Sequence, residues 1–160
     1  MVPAGTSPGT YWVIAVADWT NAIIESSETN NTRANSFKVG SDLIVSALTA
    51  PTSAVAGATI GVTDTTLNQG GDTAPASGTA YYLSANGTLD ASDALLGTRM
   101  IPSLVPGGSQ SGSVSVVIPA STAAGTYIIF AKSDGNDSIA ETTETNNTRT
   151  RSISVTAGSP

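Results

Sequence analysis

The sequence predicts an all-β chain, folded as an immunoglobulin/fibronectin-III-like seven-stranded Greek-key β-sandwich. Three observations carry that prediction. Ser, Thr, Gly, Asn and Val dominate while Lys, Arg and Glu are scarce, and only 11% of the residues are charged; such a composition favours strands and turns over helices. Short β-branched runs recur at regular spacing between Gly, Pro and Asn turns, the pattern of a sandwich. Finally, the hexapeptide ETNNTR stands at residues 28–33 and again at 144–149.

That repetition sets the organisation. Shifting the chain by 116 residues brings Gly9-Thr10-Tyr11 onto Gly125-Thr126-Tyr127, Asp18 onto Asp134 and Glu25 onto Glu141, and 15 of the 32 pairs between residues 9–40 and 125–156 are identical. Residues 1–40 therefore read as the last two strands of a preceding repeat, 41–157 as a complete sandwich and 158–160 as a tail. Within the complete unit the predicted strands cover Asp42 to Leu48, Thr59 to Thr63, Thr79 to Ser84, Leu95 to Ile101, Ser113 to Ile118, Thr126 to Lys132 and Arg149 to Val155. Pro51, Pro102 and Pro119 punctuate them, because proline cannot donate to a ladder. Val114, Val116 and Ile118 alternate with Ser113 and Ser115, so that strand has one buried and one wet face. Tyr127, with Tyr11 as its counterpart, is placed to form a tyrosine corner.

The segments LIVSALTAPTSAVAGATIGVTDTTLNQG, YYLSANGTLDASDALLG and GTYIIFAKSDGNDSIAETTETNNTR together resemble the CARDB family, the cell-adhesion-related domain found in bacteria. The resemblance spans residues 42–156, and residues 3–39 resemble that family's last two strands. It implies a seven-stranded sandwich, in tandem on large secreted or surface proteins. Location is implied more firmly than ligand.

Charge and residue usage exclude several functions. The net charge of -6, with no cluster of basic residues, leaves no cationic footprint for nucleic acid. Without His or Cys the common nucleophile and base pairs are missing, and the acids lie in turns rather than across a cleft, so the reading is not an enzyme. Absence of Cys also excludes disulfide staples. No signal peptide follows Met1 and no apolar run is long enough to span a membrane, yet low Lys with high Thr, Ser and Asn suits an extracellular or cell-surface protein.

The acidic loops are the candidate sites. Residues 134–147 hold Asp134, Asn136, Asp137, Glu141, Glu144 and Asn146, all oxygen donors of the kind Ca²⁺ prefers. The first copy offers Asp18, Asn21, Glu25, Glu28 and Asn30. The alternative is a self-satisfying loop in which Asp134, Glu141 and Glu144 accept backbone N–H groups, Asn146 and Asn147 turn the chain, and Arg149 pairs with a glutamate. Asn86, Thr88, Asp90 and Asp93 begin like an EF-hand, but Ala91 and Gly97 stand where that motif needs Gly and Glu, so an Asx-rich turn competes with calcium there too. Asn30, Asn86, Asn136 and Asn146 each open an N-x-Ser/Thr triplet.

Trp12 is expected in the core, and Trp19 against the following unit, with an exposed interface or glycan-stacking residue as its alternative. The hairpin of residues 1–40 would expose Tyr11, Val13, Ile23, Phe37 and Val39, and calls for a neighbouring repeat or an identical chain to cover it, by head-to-tail strand complementation or by packing on residues 41–157; the alternative is an arbitrary boundary inside a longer array. The short Val39-Gly40-Ser41-Asp42 junction should hold successive units in line. The function this supports is a structural repeat of a stalk, filament or adhesin; a module that binds glycan or protein through its loops is the rival.

Overall fold

A computed structural model describes residues 2–158, so Met1 and the last two residues of the expected tail lie outside it. Ten strands form three sheets. β1 (Gly9–Val16) and β2 (Thr32–Val39) pair as an isolated antiparallel hairpin. The other eight, β3 (Leu43–Thr49), β4 (Ser53–Val55), β5 (Thr59–Asn68), β6 (Ser77–Ser84), β7 (Ala94–Ile101), β8 (Ser109–Val117), β9 (Gly125–Lys132) and β10 (Thr148–Thr156), build a sandwich. Its sheets run β4-β10-β9-β6-β7 and β3-β5-β8.

The seven expected strands are all present, with an eighth that the sequence reading treated as a turn. After Pro51 the chain crosses from the smaller sheet to the edge of the larger one, where three residues of β4 pair in parallel with β10. Two strands are also longer than expected: β5 continues to Asn68 and β8 begins at Ser109. These extensions are rich in Ser, Thr and Asn, and their side chains still alternate, buried with half-buried in β5 and exposed with half-buried in β8.

Alternation decides what is buried. Along β5, Ile60, Val62, Asp64, Thr66 and Asn68 all face inward. In β3 the register slips by one residue between Val45 and Ala47, which turns Leu48 inward after Leu43 and Val45. Opposite Val45 and Leu48 lie Tyr81, Leu83, Ile129, Ala131, Ile153 and Val155 from the larger sheet, closing one apolar core with Val116 and Ile118, while Leu43 packs in a second with Ala74, Ile101 and Leu104.

One group in that core is charged. The Asp64 carboxylate is buried and receives two hydrogen bonds from Arg99, Nε to Oδ1 at 2.7 Å and Nη2 to Oδ2 at 2.7 Å. Tyr81 donates its hydroxyl to Asp64 Oδ1 and Thr66 donates to Oδ2, while Arg99 Nη1 donates to Gln110. Burial pushes the Tyr81 phenol up, and the Asp64 charge reinforces it, so the tyrosine stays a donor. The cluster joins β5 and β8 of one sheet to β6 and β7 of the other.

Both tyrosine corners form. Tyr127 donates its hydroxyl to the Ala123 carbonyl at 3.1 Å, and Tyr11 to the Ser7 carbonyl at 2.9 Å. Trp12, expected in the core, is 61% exposed. It sits on the opposite face of β1 from Tyr11, at the place of half-buried Ile128, so strand alternation turns it outward. Trp19 is 83% exposed and is not packed on the sandwich that follows.

Removing one partner of a buried ion pair leaves the other charged and unpaired, so Asp64→Ala should lower the unfolding free energy by about 3 to 5 kcal/mol. The double variant Asp64→Leu/Arg99→Met should lose less than Asp64→Ala alone, as read by denaturant unfolding; a larger loss would show the pair to be worth more than its apolar replacement.

Candidate functional site at the acidic pole

The residues of the second acidic loop gather at one end of the sandwich, where the hairpin joins it, whereas those of the first copy lie on the hairpin's own loop and Asn86 to Asp93 at the opposite pole. The chain leaves β2 at Val39 and enters β3 at Leu43 within three residues, of which Ser41 and Asp42 are buried. Gly40 takes φ +91°, and a Cβ there would meet Pro8 at 2.6 Å, so only glycine fits this bend.

Around it most of the backbone is engaged. Gly40 N–H donates to Asp72 Oδ2 at 2.8 Å, its carbonyl accepts from Gly71 and Asp72 N–H, and Thr142 Oγ1 donates to the Val39 carbonyl at 3.1 Å. Ser41 accepts from Thr142 N–H at 2.8 Å, and Asp42 exchanges bonds with the following turn: its N–H donates to Asn68 Oδ1, its carbonyl accepts from Gln69 N–H. Gly70 lies so close to this segment that a Cβ would stand 2.5 Å from the Gly40 carbonyl oxygen.

The Asp42 carboxylate, buried at the centre, accepts from Lys38 Nζ at 2.6 Å, Gln69 Nε2 at 3.1 Å and Asn146 Nδ2 at 2.9 Å. Beside it Glu141 accepts Leu43 N–H at 2.9 Å on one oxygen and Asn147 Nδ2 at 2.6 Å on the other. Burial pushes Glu141 up to about 7 against these two donors, with Glu144 and Asp134 adding to the rise. Ser133 completes the set: its hydroxyl lies within bonding distance of both the Leu43 and Asn147 carbonyls.

The self-satisfying reading of the loop describes most of this. Asp134 Oδ2 accepts Ile139 N–H at 2.8 Å and Oδ1 accepts Ser138 Oγ; Glu144 accepts Glu141 N–H at 2.8 Å. Two details differ. The left-handed residues are Asp134 and Asp137, not the asparagines, whose amides are spent on Asp42 and Glu141. Arg149 is exposed and forms no ion pair; the pairs among the described residues are Lys38–Asp42, Asp64–Arg99 and Lys132–Asp137.

The first copy repeats the loop's local backbone caps. Asp18 Oδ2 accepts Ile23 N–H at 2.8 Å, Glu28 accepts Glu25 N–H at 2.9 Å, and Asp18 and Asn21 take the left-handed conformation of Asp134 and Asp137. Glu25 and Asn30, however, are exposed. The third candidate, at the opposite pole, is an Asx turn: Asn86 Oδ1 accepts Thr88 N–H at 2.9 Å, and Asp90 accepts Ser92 N–H at 2.8 Å. The Ser92 donors and Asn86 hold the Asp90 carboxyl below its usual range, and Asp93 caps Asp90 N–H at 2.9 Å.

The loop carboxylates are largely engaged within the protein. The carboxylates of Asp134, Glu141, Glu144, Asp90 and Asp93 are aimed at internal donors, and no group of three or more Asp or Glu side chains among the described residues converges as a cation requires. Lys38, Asn68, Gln69, Gly70, Gly71 and Asp72, which complete the pole, escaped the sequence reading. The Asn68-Gln69-Gly70-Gly71 turn was visible, but nothing in its letters shows which segment it meets.

An eight-stranded immunoglobulin-like sandwich with a closed polar pole defines a class, and comparison defines the family. The CARDB profile matches residues 40–151, and the chain belongs to the CARDB family. The CARDB domain of a Pyrococcus furiosus protein, solved in complex with di-metal ions, superposes with a TM-score of 0.55 at 25% identity, covering 74% of this chain and 96% of that one. A domain of a Methanosarcina acetivorans protein proposed to lie at the cell surface gives 0.54 at 20% identity, covering 73% and 93%. A Listeria innocua β-glucosidase gives 0.50 at 11% identity over 78% of this chain and 17% of the enzyme, a likeness of fold alone. No curated protein matches the chain.

Two outcomes are expected. Because folded Glu141 holds its proton to about pH 7 and the unfolded chain loses it near 4.5, unfolding releases a proton between those values and this group's contribution to stability falls as pH rises through them, by about 3 kcal/mol at most. Subtracting the pH–stability curve of Glu141→Gln from that of the wild type should isolate the slope. The second concerns metal. Melting curves in Ca²⁺ and in EDTA should coincide, since a cation that bound only the folded chain would raise the midpoint.

Proposed function

We propose that this chain is a non-catalytic structural module of an extracellular, cell-surface array, in which neighbouring repeats are its main partners and the polar pole fixes each unit to the one before it. The observation that carries this reading is the junction at Gly40, where the turn of residues 68–72 and the loop of residues 134–147 both bond to the three residues between strands. A linker whose N–H and carbonyl groups are engaged cannot act as a swivel. The internal repeat supports a tandem arrangement, the Methanosarcina relative supports the surface, and the absence of His and Cys supports a role without catalysis. No helix is long and apolar enough to cross a membrane among the described residues.

A second reading, recognition of a glycan or protein, has one feature in its favour. The outer face of β6 and β7 carries a groove of about 500 Å³ lined by Gly78, Tyr82, Leu95, Met100, Asn136 and Ser138. An aromatic ring beside amide and hydroxyl groups is the chemistry of sugar stacking.

NMR relaxation distinguishes them. Amides of Gly40, Ser41 and Asp42 should show order parameters near those of the sandwich, about 0.85, and Asp72→Ala/Thr142→Val should lower them without unfolding residues 43–156. Low values in the wild type would remove the rigid-module reading. Shifts confined to Tyr82 and its neighbours on titration with neutral oligosaccharides would establish the second.

A further inference from the structure

The hairpin presents an apolar face that the same protein shows covered elsewhere. The eight residue pairs of β1 and β2, from Gly9↔Val39 to Val16↔Thr32, occupy the register of Gly125↔Val155 to Lys132↔Thr148 in β9 and β10. The approach to the hairpin is duplicated too: Thr6 N–H donates to the Pro3 carbonyl as Thr122 N–H does to Pro119. Yet Val13 is 62% and Val2 43% exposed, whereas Ile129 and Ile118 at their places are fully buried. In the complete unit that burial comes from β3, β5, β6 and β8.

The polar edge matches as well. Glu141 receives Leu43 N–H and Asn146 reaches Asp42, both from the start of β3; their counterparts Glu25 and Asn30 have lost such partners and face solvent. This chain's own β3 to β8 cannot serve, because β9 and β10 already occupy the seat.

From these observations the geometry points to one occupant: a six-stranded CARDB body, equivalent to β3 through β8, joined directly ahead of residue 2 and closed by the hairpin as its last two strands. The inference rests on the tandem-module reading and goes further by defining the partner. Its first strand must carry an Asp-apolar pair like Asp42-Leu43, to meet Asn30 and Glu25. Its β6 must differ from this one at the place of Ala80. Trp19 stands at the position of Gly135, where a Cβ would lie 2.5 Å from the Cβ of Ala80. Gly135 has no left-handed φ, so space and not backbone forbids a side chain there. The body that covers the hairpin must therefore open a recess for an indole.

The test adds the body to the intact chain, by placing a copy of residues 41–116 ahead of Met1. In the unextended chain trypsin should cut readily after Arg33, and light scattering should show a monomer. In the extended chain that cleavage should slow at least tenfold, and Trp19→Gly should slow it further, while the same substitution leaves the unextended chain unchanged. Undiminished cleavage after Arg33 in both the extended chain and its Trp19→Gly variant would overturn the inference; if the Gly40–Asp42 amides kept their order, the rigid-module reading would survive it. A dimer of the unextended chain with Arg33 protected would make a second copy the cover, and would equally overturn it.

Discussion

A carboxylate without access to water must find donors inside the protein, and Asp42 finds them in three separate segments: Lys38 before it, the Gln69 turn and the Asn146 loop. Satisfying one buried charge thereby fixes the relative placement of β2, β3, the β5–β6 turn and the β9–β10 loop. The apolar core alone would not do this. Packing of Leu43 and Ile129 is tolerant of small rotations, whereas a carboxylate with three donors has one arrangement in which all are made.

Asp64 shows the same logic in the middle of the sandwich. There the donors are Arg99, Tyr81 and Thr66, and the segments tied are the two sheets themselves. The two buried acids divide the work: one sets how the layers face each other, the other how the unit meets what precedes it. Glu141 stands between them in character. Its two donors do not fully offset burial, so it remains close to protonation near neutral pH.

How far this was readable from sequence follows from the range of each interaction. The strands other than β4, the tyrosine corners and the side-chain caps made by Asp134 and Glu144 depend on nearby residues and were legible. The loop forms equally in the exposed first copy, which shows that its conformation is local. Asp42–Asn146 and Asp64–Arg99 span 104 and 35 residues, and no local pattern announces them. Trp12 was misread because a large aromatic suggests a core position, whereas its parity with Tyr11 already assigned it to the other face. The loop's oxygens could be counted in the sequence, but not the donors that reach its carboxylates, several of which come from distant segments.

The short β4 has a mechanical consequence. Because it pairs in parallel with β10, with Ser154 N–H donating to the Thr52 carbonyl, Ala56 N–H to Thr156 and Arg151 to the Leu48 carbonyl, the first and last segments of the sandwich are stitched side by side. A pull on the two ends of this unit would load those bonds in shear, all at once, instead of peeling them one after another. Three residues that look like a turn thus place a clamp across the line along which tension would enter and leave.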